Sequence, residues 1–322
     1  MRNIQHSCVT FLIPTYDDWE SLEFLLPDIE SNLRHISERI RIVLVNDGSS
    51  MPVPKNLKEL LDASVTDCLL INLTRNLGHQ RAIAIGLAYI NKNIEEHGPI
   101  CVMDADGEDN PADIPKLLEM LKSGNNLGIV FAERARRSES AVFQLGYFCY
   151  KILHSIMTGR KIRFGNFSVI PRCEVKKIVT ISELWNHYAA AVVIARFPVK
   201  LVPTTRSARL AGKTRMNYAS LILHGLKAIS VYAEDIGVRA LVFTGIFLPS
   251  SCVLLVVLLF SPKIFNWSAP LGLIIAMAVF CVSQVFFLVF VFQFTLLVLQ
   301  GRSSSNFIPA RDYKYYIASI EN

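Results

Sequence analysis

The chain has 322 residues, enough for about two domains, and 52% of them are hydrophobic while only 19% are charged. This composition is too apolar for an ordinary soluble enzyme, and it excludes a disordered chain and a coiled coil. The net charge of +6 comes without a run of five basic residues, which speaks against a nucleic-acid partner and favours anionic lipid or phosphate-bearing ligands.

The first half of the chain alternates short apolar runs with stretches of helical periodicity. This alternation predicts an α/β fold with a mostly parallel sheet that is covered on both faces. Ligands of such sheets bind beyond the carboxyl ends of the strands. The predicted strands are 9–14, 40–47, 68–73, 100–106 and 127–133, and the predicted helices are Trp19–Leu33, Gln80–Ile90 and Ile114–Leu121.

Each of the five predicted strands ends in a polar cluster, so five polar clusters are expected to meet at one rim of the sheet. No G-x-G occurs among the 16 glycines and no GK[ST] follows a strand, which removes most support for a dinucleotide-binding or P-loop fold. The sequence therefore predicts an α/β domain whose rim carries both acidic and basic side chains. The clusters are 16–18, 46–49, 74–76, 104–106 and 133–134.

Three carboxylates stand at alternate positions past the fourth strand, at Asp104, Asp106 and Glu108. In an extended segment alternate side chains face one side, which would direct all three acids into a single pocket. Such a cluster needs a cation, and oxygen ligands favour Mg²⁺ or Mn²⁺ held partly by substrate phosphates. The competing interpretation is a polar turn that opens the next helix, with Asp109 or Asn110 as its cap.

The C-terminal part predicts two membrane spans, at 240–260 and 271–299, with Lys263 as the only charged side chain between residues 240 and 300. The basic residues flank this helical hairpin and do not lie in its connector, which predicts that both termini are cytoplasmic. A buried hairpin of a soluble protein is the alternative. Upstream, 216–232 has apolar residues at helical spacing, which indicates an amphipathic helix at the interface or one packed on the domain core.

Four motifs in order resemble the signature of family 2 glycosyltransferases with a Rossmann-like GT-A fold: 14–18 (PTYDD), 45–50 (VNDGSS), 75–78 (RNLG) and 104–111 (DADGEDNP). Together with the two spans, they resemble the polyprenyl-phosphate glycosyltransferases, relatives of dolichol-phosphate mannose synthase. The resemblance divides the chain into a GT-A catalytic domain at 1–215, an amphipathic juxtamembrane helix at 216–238, two transmembrane helices at 239–300 and a cytoplasmic tail at 301–322.

The resemblance implies an inverting enzyme that transfers one sugar from a nucleotide-sugar to a polyprenyl phosphate of undecaprenyl or dolichyl type. The reaction would take place at the cytoplasmic membrane face, would use Mg²⁺ or Mn²⁺, and would supply lipid-linked sugar for glycan or cell-envelope modification. A homo-oligomer and a downstream flippase or membrane glycosyltransferase are open expectations for further partners.

The resemblance also implies roles for individual residues. Asp104, Asp106 and Glu108 would hold the metal, and Asp106 would act in catalysis together with three arginines that steer the acceptor phosphate: Arg134, Arg209 and Arg215. The nucleotide-sugar would bind at Pro14, Tyr16, Asp18, Asp47, Asn76 and Asp104. The chain departs from many relatives at Glu108, Asn166 and Arg215, where glutamine, aspartate and lysine are common. If that aspartate acts as a base in the relatives, this chain has to work without it or use another acid.

Two alternatives remain. A processive polysaccharide synthase also joins such a domain to membrane helices, but QxxRW is absent around Trp19, Trp185 and Trp267, and two spans hardly form a translocation channel. A catalytically inactive nucleotide-sugar-binding scaffold is the second alternative, and the departures at Glu108 and Asn166 keep it open.

Overall fold

The structure is a computed structural model of the chain that describes residues 8–36, 39–124, 128–134, 155, 157–159, 164–212, 218–261, 263, 270–304 and 307–321. These residues form two compact units. An α/β unit comprises the described residues of 1–144, 162–231 and 307–322, and a helical unit comprises those of 145–161 and 232–306.

The described strands and helices are numbered in chain order. The strands are β1 Val9–Thr15, β2 Ile40–Asn46, β3 Thr66–Leu73, β4 Ile100–Val102, β5 Ile129–Arg134, β6 Phe164–Ile170, β7 Val199–Thr204 and β8 Ile317–Glu321. The helices are α1 Trp19–Leu33, α2 His79–Asn93, α3 Ile114–Ser123, α4 Arg172–Ile178, α5 Tyr188–Ile194, α6 Tyr218–Ser230, α7 Ala233–Leu259, α8 Leu271–Ser304 and α9 Pro309–Asp312.

The eight described strands form one mixed sheet in the order β7-β5-β6-β4-β1-β2-β3-β8. β1 runs parallel to β2 and β4, and β2 runs parallel to β3. β6 is antiparallel to both β4 and β5, so β5 runs in the same direction as β4. The five predicted strands and the three predicted helices are therefore present, and the carboxyl ends of β1 to β5 lie along one rim.

Helices cover both faces of the sheet, as expected for buried strands with side chains that alternate between faces. Phe11 and Ile13 of β1 pack in one apolar cluster with residues of α1 and α3. Leu12, between them, packs in the other cluster with residues of α2 and α5. A Cβ on Gly86 of α2 would lie 2.2 Å from Cδ1 of Leu12, so this glycine permits the close approach of α2 to β1.

The helical unit contains α7 and α8, both long and apolar enough to span a membrane. Only 11% of the most apolar stretch of each helix is buried, so the side chains are exposed rather than packed as a soluble core. The pair is joined by a close approach of Gly237 to Thr295, where a Cβ would lie 2.5 Å from Oγ1. Ser251 Oγ also donates to Gln284 Oε1 at 3.3 Å, a hydrogen bond from one helix of the pair to the other.

The segment after the helical unit returns to the α/β unit. The sequence indicated a tail at 301–322, whereas β8 pairs antiparallel with β3 and becomes an edge strand of the sheet. Phe307 packs against Trp185 with ring centroids 3.7 Å apart and the rings tilted by 36°, and Asn72 Nδ2 donates to Ser319 Oγ at 3.0 Å. Both ends of the helical unit therefore join the same α/β unit.

Candidate functional site

The rim at the carboxyl ends of β1 to β5 carries the polar clusters that follow those strands. Because these strands share one direction, the loops after Thr15, Asn46, Leu73 and Val102 meet along one edge. This placement confirms the expectation that the polar clusters converge. The rim residues make two kinds of contact. Some bind the backbone of neighbouring loops, and others form pairs between acidic and basic side chains.

Asp47 shapes the loop that precedes α2. Its Oδ1 accepts from the Leu77 amide at 2.7 Å and its Oδ2 from the Gly78 amide at 2.8 Å. Burial raises the pKa of Asp47, while these two amides oppose the shift. Next to it, Gly48 has φ +68°, and a Cβ there would lie 2.5 Å from the Asn76 nitrogen. Asp47 therefore contacts the backbone of a neighbouring loop with both oxygens.

Asp17 joins the loops after β1 and β2 in a similar way. Its Oδ1 accepts from the Met51 amide at 2.8 Å and its Oδ2 from Ser50 Oγ at 2.7 Å. In return, Ser49 Oγ accepts from the Asp17 amide at 2.9 Å. These bonds hold Asp17 at φ +55°, a backbone conformation that costs energy outside glycine. The neighbouring Asp18 is thereby presented to the rim.

The acidic loop turns where the sequence predicted an extended segment. β4 ends at Val102, and Gly107 has φ +77°, so the alternation of side chains does not hold there. The three predicted metal ligands face three different basic side chains. Asp104 Oδ1 lies 3.1 Å from His79 Nε2, Asp106 Oδ2 lies 3.2 Å from Arg209 Nη1, and Glu108 pairs with Arg206.

No group of three His, Cys, Asp or Glu side chains converges as a metal site within the part of the chain that the structure describes. The predicted trio is therefore not gathered into one pocket by the protein alone. Of the two candidate caps, Asn110 accepts from the Ala112 amide at 3.0 Å. Asp109 accepts from the Asp104 amide at 3.1 Å and shapes the acidic loop from inside.

The segment 206–211 lies against the acidic loop. The Ser207 amide donates to the Glu108 carbonyl at 3.0 Å and the Leu210 amide to the Asp106 carbonyl at 3.1 Å. The guanidinium of Arg209 pairs with both Asp18 and Asp106. Arg209, predicted to steer a phosphate, thus links a predicted nucleotide-binding acid to a predicted metal-binding acid. A cation in this position reduces the repulsion between the two carboxylates.

A hydrogen-bond chain that the sequence did not predict runs beside Asp104. The Tyr188 amide donates to Gln80 Oε1 at 2.7 Å, and Gln80 Nε2 donates to Asn166 Oδ1 at 3.1 Å. Asn166 Nδ2 lies 2.9 Å from His79 Nε2. Burial disfavours a charged imidazole, but the carboxylates of Asp104, Asp47 and Asp109 together outweigh it and raise the pKa of His79.

His79 and Gln80 were missed because a lone histidine is usually structural or a surface residue. The available signal was their position directly after the RNLG motif, at the start of a helix that points at the rim. Pro14 is buried in β1, Tyr16 is half-buried at its end, and Asn76 is exposed in the loop before α2.

Arg134 and Arg215 are the other two predicted catalytic arginines. The backbone of Arg134 ends β5. The side chain of Arg134 and all of Arg215 lie outside the part of the chain that the structure describes.

Residues 10–174, slightly more than half of the chain, match the sequence family described as glycosyl transferase family 2. The chain belongs to this family. The loops after β1 to β4, including Asp18, Asp47 and Asp106, all lie inside the matched region of this glycosyltransferase. Arg206 and Arg209 lie beyond it.

Curated relatives share part of the chain. An uncharacterized glycosyltransferase of Bacillus subtilis, YkcC, is 26% identical over 277 residues, which cover 84% of this chain and 81% of the relative. An uncharacterized glycosyltransferase of Synechocystis is 29% identical and covers 66% of this chain and 65% of the relative. An undecaprenyl-phosphate 4-deoxy-4-formamido-L-arabinose transferase of Pseudomonas savastanoi is 30% identical over 44% of this chain. The chain spans 65% and 40% of the lengths of the last two relatives.

Among solved structures, glucosyl-3-phosphoglycerate synthase of Mycobacterium tuberculosis in complex with Mn²⁺, UDP-glucose and phosphoglyceric acid is similar with a TM-score of 0.50. The match covers 72% of this chain and 80% of that chain at 11% identity. At this identity the similarity shows the fold alone, and it confirms the predicted GT-A-like α/β architecture.

Proposed function

We propose that this glycosyltransferase moves a single sugar from a nucleotide-sugar donor to a polyprenyl phosphate of undecaprenyl type, with inversion at the anomeric carbon. The observation that carries the proposal is the insertion of two exposed, apolar helices into a family 2 domain whose rim brings acidic and basic side chains together. The similarity to an undecaprenyl-phosphate sugar transferase supports the same class of acceptor.

On the donor side, we assign the base and ribose to the loops after β1 and β2, at Pro14, Tyr16 and Asp18, with Asn76 next to them. Asp47 fixes the amides of Leu77 and Gly78. Its oxygens still have lone pairs, which can accept from a donor group of the nucleotide. Asp18 reaches the donor when its guanidinium partner, Arg209, turns toward phosphate.

For Mg²⁺ or Mn²⁺, the chemistry of the donor set fits, since Asp104 and Asp106, which are separated by one residue, offer hard carboxylate oxygens. The described side chains do not complete a site by themselves, so the diphosphate oxygens of the donor would supply the remaining ligands. When bound, the metal neutralises the departing nucleotide diphosphate. Glu108 pairs with Arg206, and it would bind the metal only after it leaves this arginine.

On the acceptor side, the lipid phosphate is already a nucleophile, with a charge of about −1.5 to −2. Its oxygen forms the new bond to the anomeric carbon, and the bond from that carbon to the donor diphosphate breaks. The work of the protein is therefore to hold two phosphate groups in line. Planar, permanently charged guanidinium groups suit that task, and we assign it to Arg209 with Arg134 and Arg215.

We further propose that α7 and α8 cross the membrane and place the α/β unit and both termini in the cytoplasm, where α6 lies at the interface. The basic flanks support this orientation. The return of β8 to the sheet supports an even number of crossings. Self-association and a downstream flippase or membrane glycosyltransferase remain proposed partners, and nucleic acid is not one of them.

A transfer assay tests the proposal. Purified protein in detergent receives undecaprenyl phosphate and a panel of radiolabelled UDP-, GDP- and dTDP-sugars, with Mg²⁺, with Mn²⁺ or with EDTA. We expect label in the lipid phase for one donor, dependent on the metal. Nucleotide binding without transfer from any donor would instead favour a catalytically inactive scaffold.

A further inference from the structure

Lys227, on the amphipathic helix α6, reaches the rim of the candidate site. A Cβ built on Gly78 would lie 4.0 Å from its Nζ. Gly78 immediately precedes α2 and donates its amide to Asp47. A residue that the sequence placed only on an amphipathic helix is thus brought beside the loop that shapes the donor side of the rim.

The ammonium group of Lys227 lies beside the N-terminus of α2. The helix end carries a partial positive charge, which repels a cation. The carboxylate of Asp47 offsets part of this charge where it accepts from the Leu77 and Gly78 amides, but none of the described acidic side chains forms an ion pair with Lys227. The ammonium group is therefore available to an anion that reaches the rim.

The same helix presents an apolar surface next to Lys227. Leu223 and Leu226 are 54% and 56% exposed, while Ala228 is buried. Leu223 and Lys227 are four residues apart and so share one face, about 6 Å apart along the helix axis. A ligand that combines a phosphate head with an apolar tail matches this arrangement, whereas a nucleotide-sugar has no tail for the leucines.

We propose that Lys227 binds the phosphate of the lipid acceptor, while Leu223 and Leu226 contact the beginning of its hydrocarbon chain. The inference rests on the proposed function and extends it by assigning an acceptor-binding residue on α6. An ammonium is a compact charge that binds phosphate without a fixed geometry. Lys227 would thus hold the phosphate at the rim while the arginines align it.

The test uses the full chain in detergent with three variants: Lys227→Met, Lys227→Arg, and the control Lys176→Met. Lys176 is an exposed lysine of α4 that lines a cavity with Pro99, which directly precedes β4 and so lies at the end of that strand opposite the rim. Binding of undecaprenyl phosphate, of undecaprenol and of the donor nucleotide is measured separately, together with the KM for each substrate. Melting temperatures verify that the variants fold.

We expect Lys227→Met to weaken undecaprenyl phosphate binding and to raise its KM roughly 10- to 100-fold, the loss of one charged hydrogen bond. Undecaprenol and nucleotide binding should change less than about 2-fold, and Lys227→Arg should retain most of the affinity. Unchanged binding of undecaprenyl phosphate, or an equal loss for Lys176→Met, would overturn the assignment.

An effect of Lys227→Met on nucleotide binding alone would move Lys227 to the donor phosphate and also overturn the assignment. If the wild-type protein binds the lipid phosphate but transfers no sugar, the proposed reaction fails while the binding measurements still decide the role of Lys227.

Discussion

Asp47 and Asp106 are two carboxylates on the same rim with different kinds of partner. Asp47 uses both oxygens for backbone amides of a loop about 30 residues further along the chain. Asp106 keeps one oxygen on the Glu108 amide of its own turn and gives the other to Arg209. A backbone amide of a packed loop is fixed, whereas a guanidinium on a long side chain can move away when a substrate arrives.

The comparison indicates that the hydrogen-bond donor decides the role of each carboxylate on this rim. A carboxylate bound to backbone amides stabilises the loops, whereas one paired with an arginine side chain can change its partner when a substrate binds. Glu108 resembles Asp106, because its partner is the side chain of Arg206. Asp17 resembles Asp47, because it joins the loops after β1 and β2. Substitution of Asp47 should therefore lower stability, and substitution of Asp106 should lower the rate of sugar transfer.

The largest effect is expected for Asp47→Ala. It leaves the Leu77 and Gly78 amides without their acceptor, and each buried unsatisfied amide costs about 1–3 kcal/mol. The free energy of unfolding should fall by about 2–5 kcal/mol, measured by urea denaturation in detergent. Asp67→Ala is the matched control, since its carboxylate is 43% exposed and pairs with the arginine side chains Arg39 and Arg41. It should cost less than about 1 kcal/mol. An equal loss of unfolding free energy in the two variants would contradict a special stabilising role for the bonds between Asp47 and the backbone amides.

Asp106→Ala should act on the reaction instead. Transfer of sugar should fall at least about 100-fold, as for loss of an electrostatic group at a reacting centre. Stability should fall by no more than about 2 kcal/mol, because Arg209 keeps Asp18 as its partner. Initial rates and urea midpoints check the two parts, with Asp28→Ala on α1 as the control. A loss of stability as large as that of Asp47→Ala would show that Asp106 mainly stabilises the loops.

The smallest effect is expected for the pH dependence that His79 brings. Its pKa is raised in the folded protein, so its contribution to stability is present below about pH 6.5 and is lost as the pH rises through the folded pKa. The stability advantage over His79→Gln should therefore shrink between pH 6 and pH 8.5, by less than about 1 kcal/mol because the side chain is partly exposed. His97→Gln, an exposed histidine, is the control. A parallel pH dependence for wild type and His79→Gln would refute the effect.

The local sequence pattern was sufficient to predict β1 to β5 and α1 to α3, because short apolar runs and helical periodicity can be recognised in consecutive residues. It missed β6 and β7, whose runs 164–170 and 199–204 are interrupted by Asn166 and Pro203. β8 was missed because its place beside β3 depends on pairing between residues almost 250 positions apart.

The site shows the same limit. The polar ends of the strands followed from sheet geometry, but the direction of each acidic side chain did not. Gly107 turns the acidic loop, and the partner of Asp106 comes from 103 residues further along the chain. The family resemblance named Arg209 as a phosphate residue; only the folded chain brings it between Asp18 and Asp106.

The position of β8 also sets an order of events during synthesis. β8 follows α7 and α8 in the chain, so the ribosome completes both apolar helices before the edge of β3 receives its neighbour. Until then the backbone groups of β3 are open to pairing with other chains, a hazard of any exposed edge. β8 thus covers the edge of β3 only after both helices have been synthesised, and a nascent chain that stalls between α8 and β8 would carry an incomplete sheet.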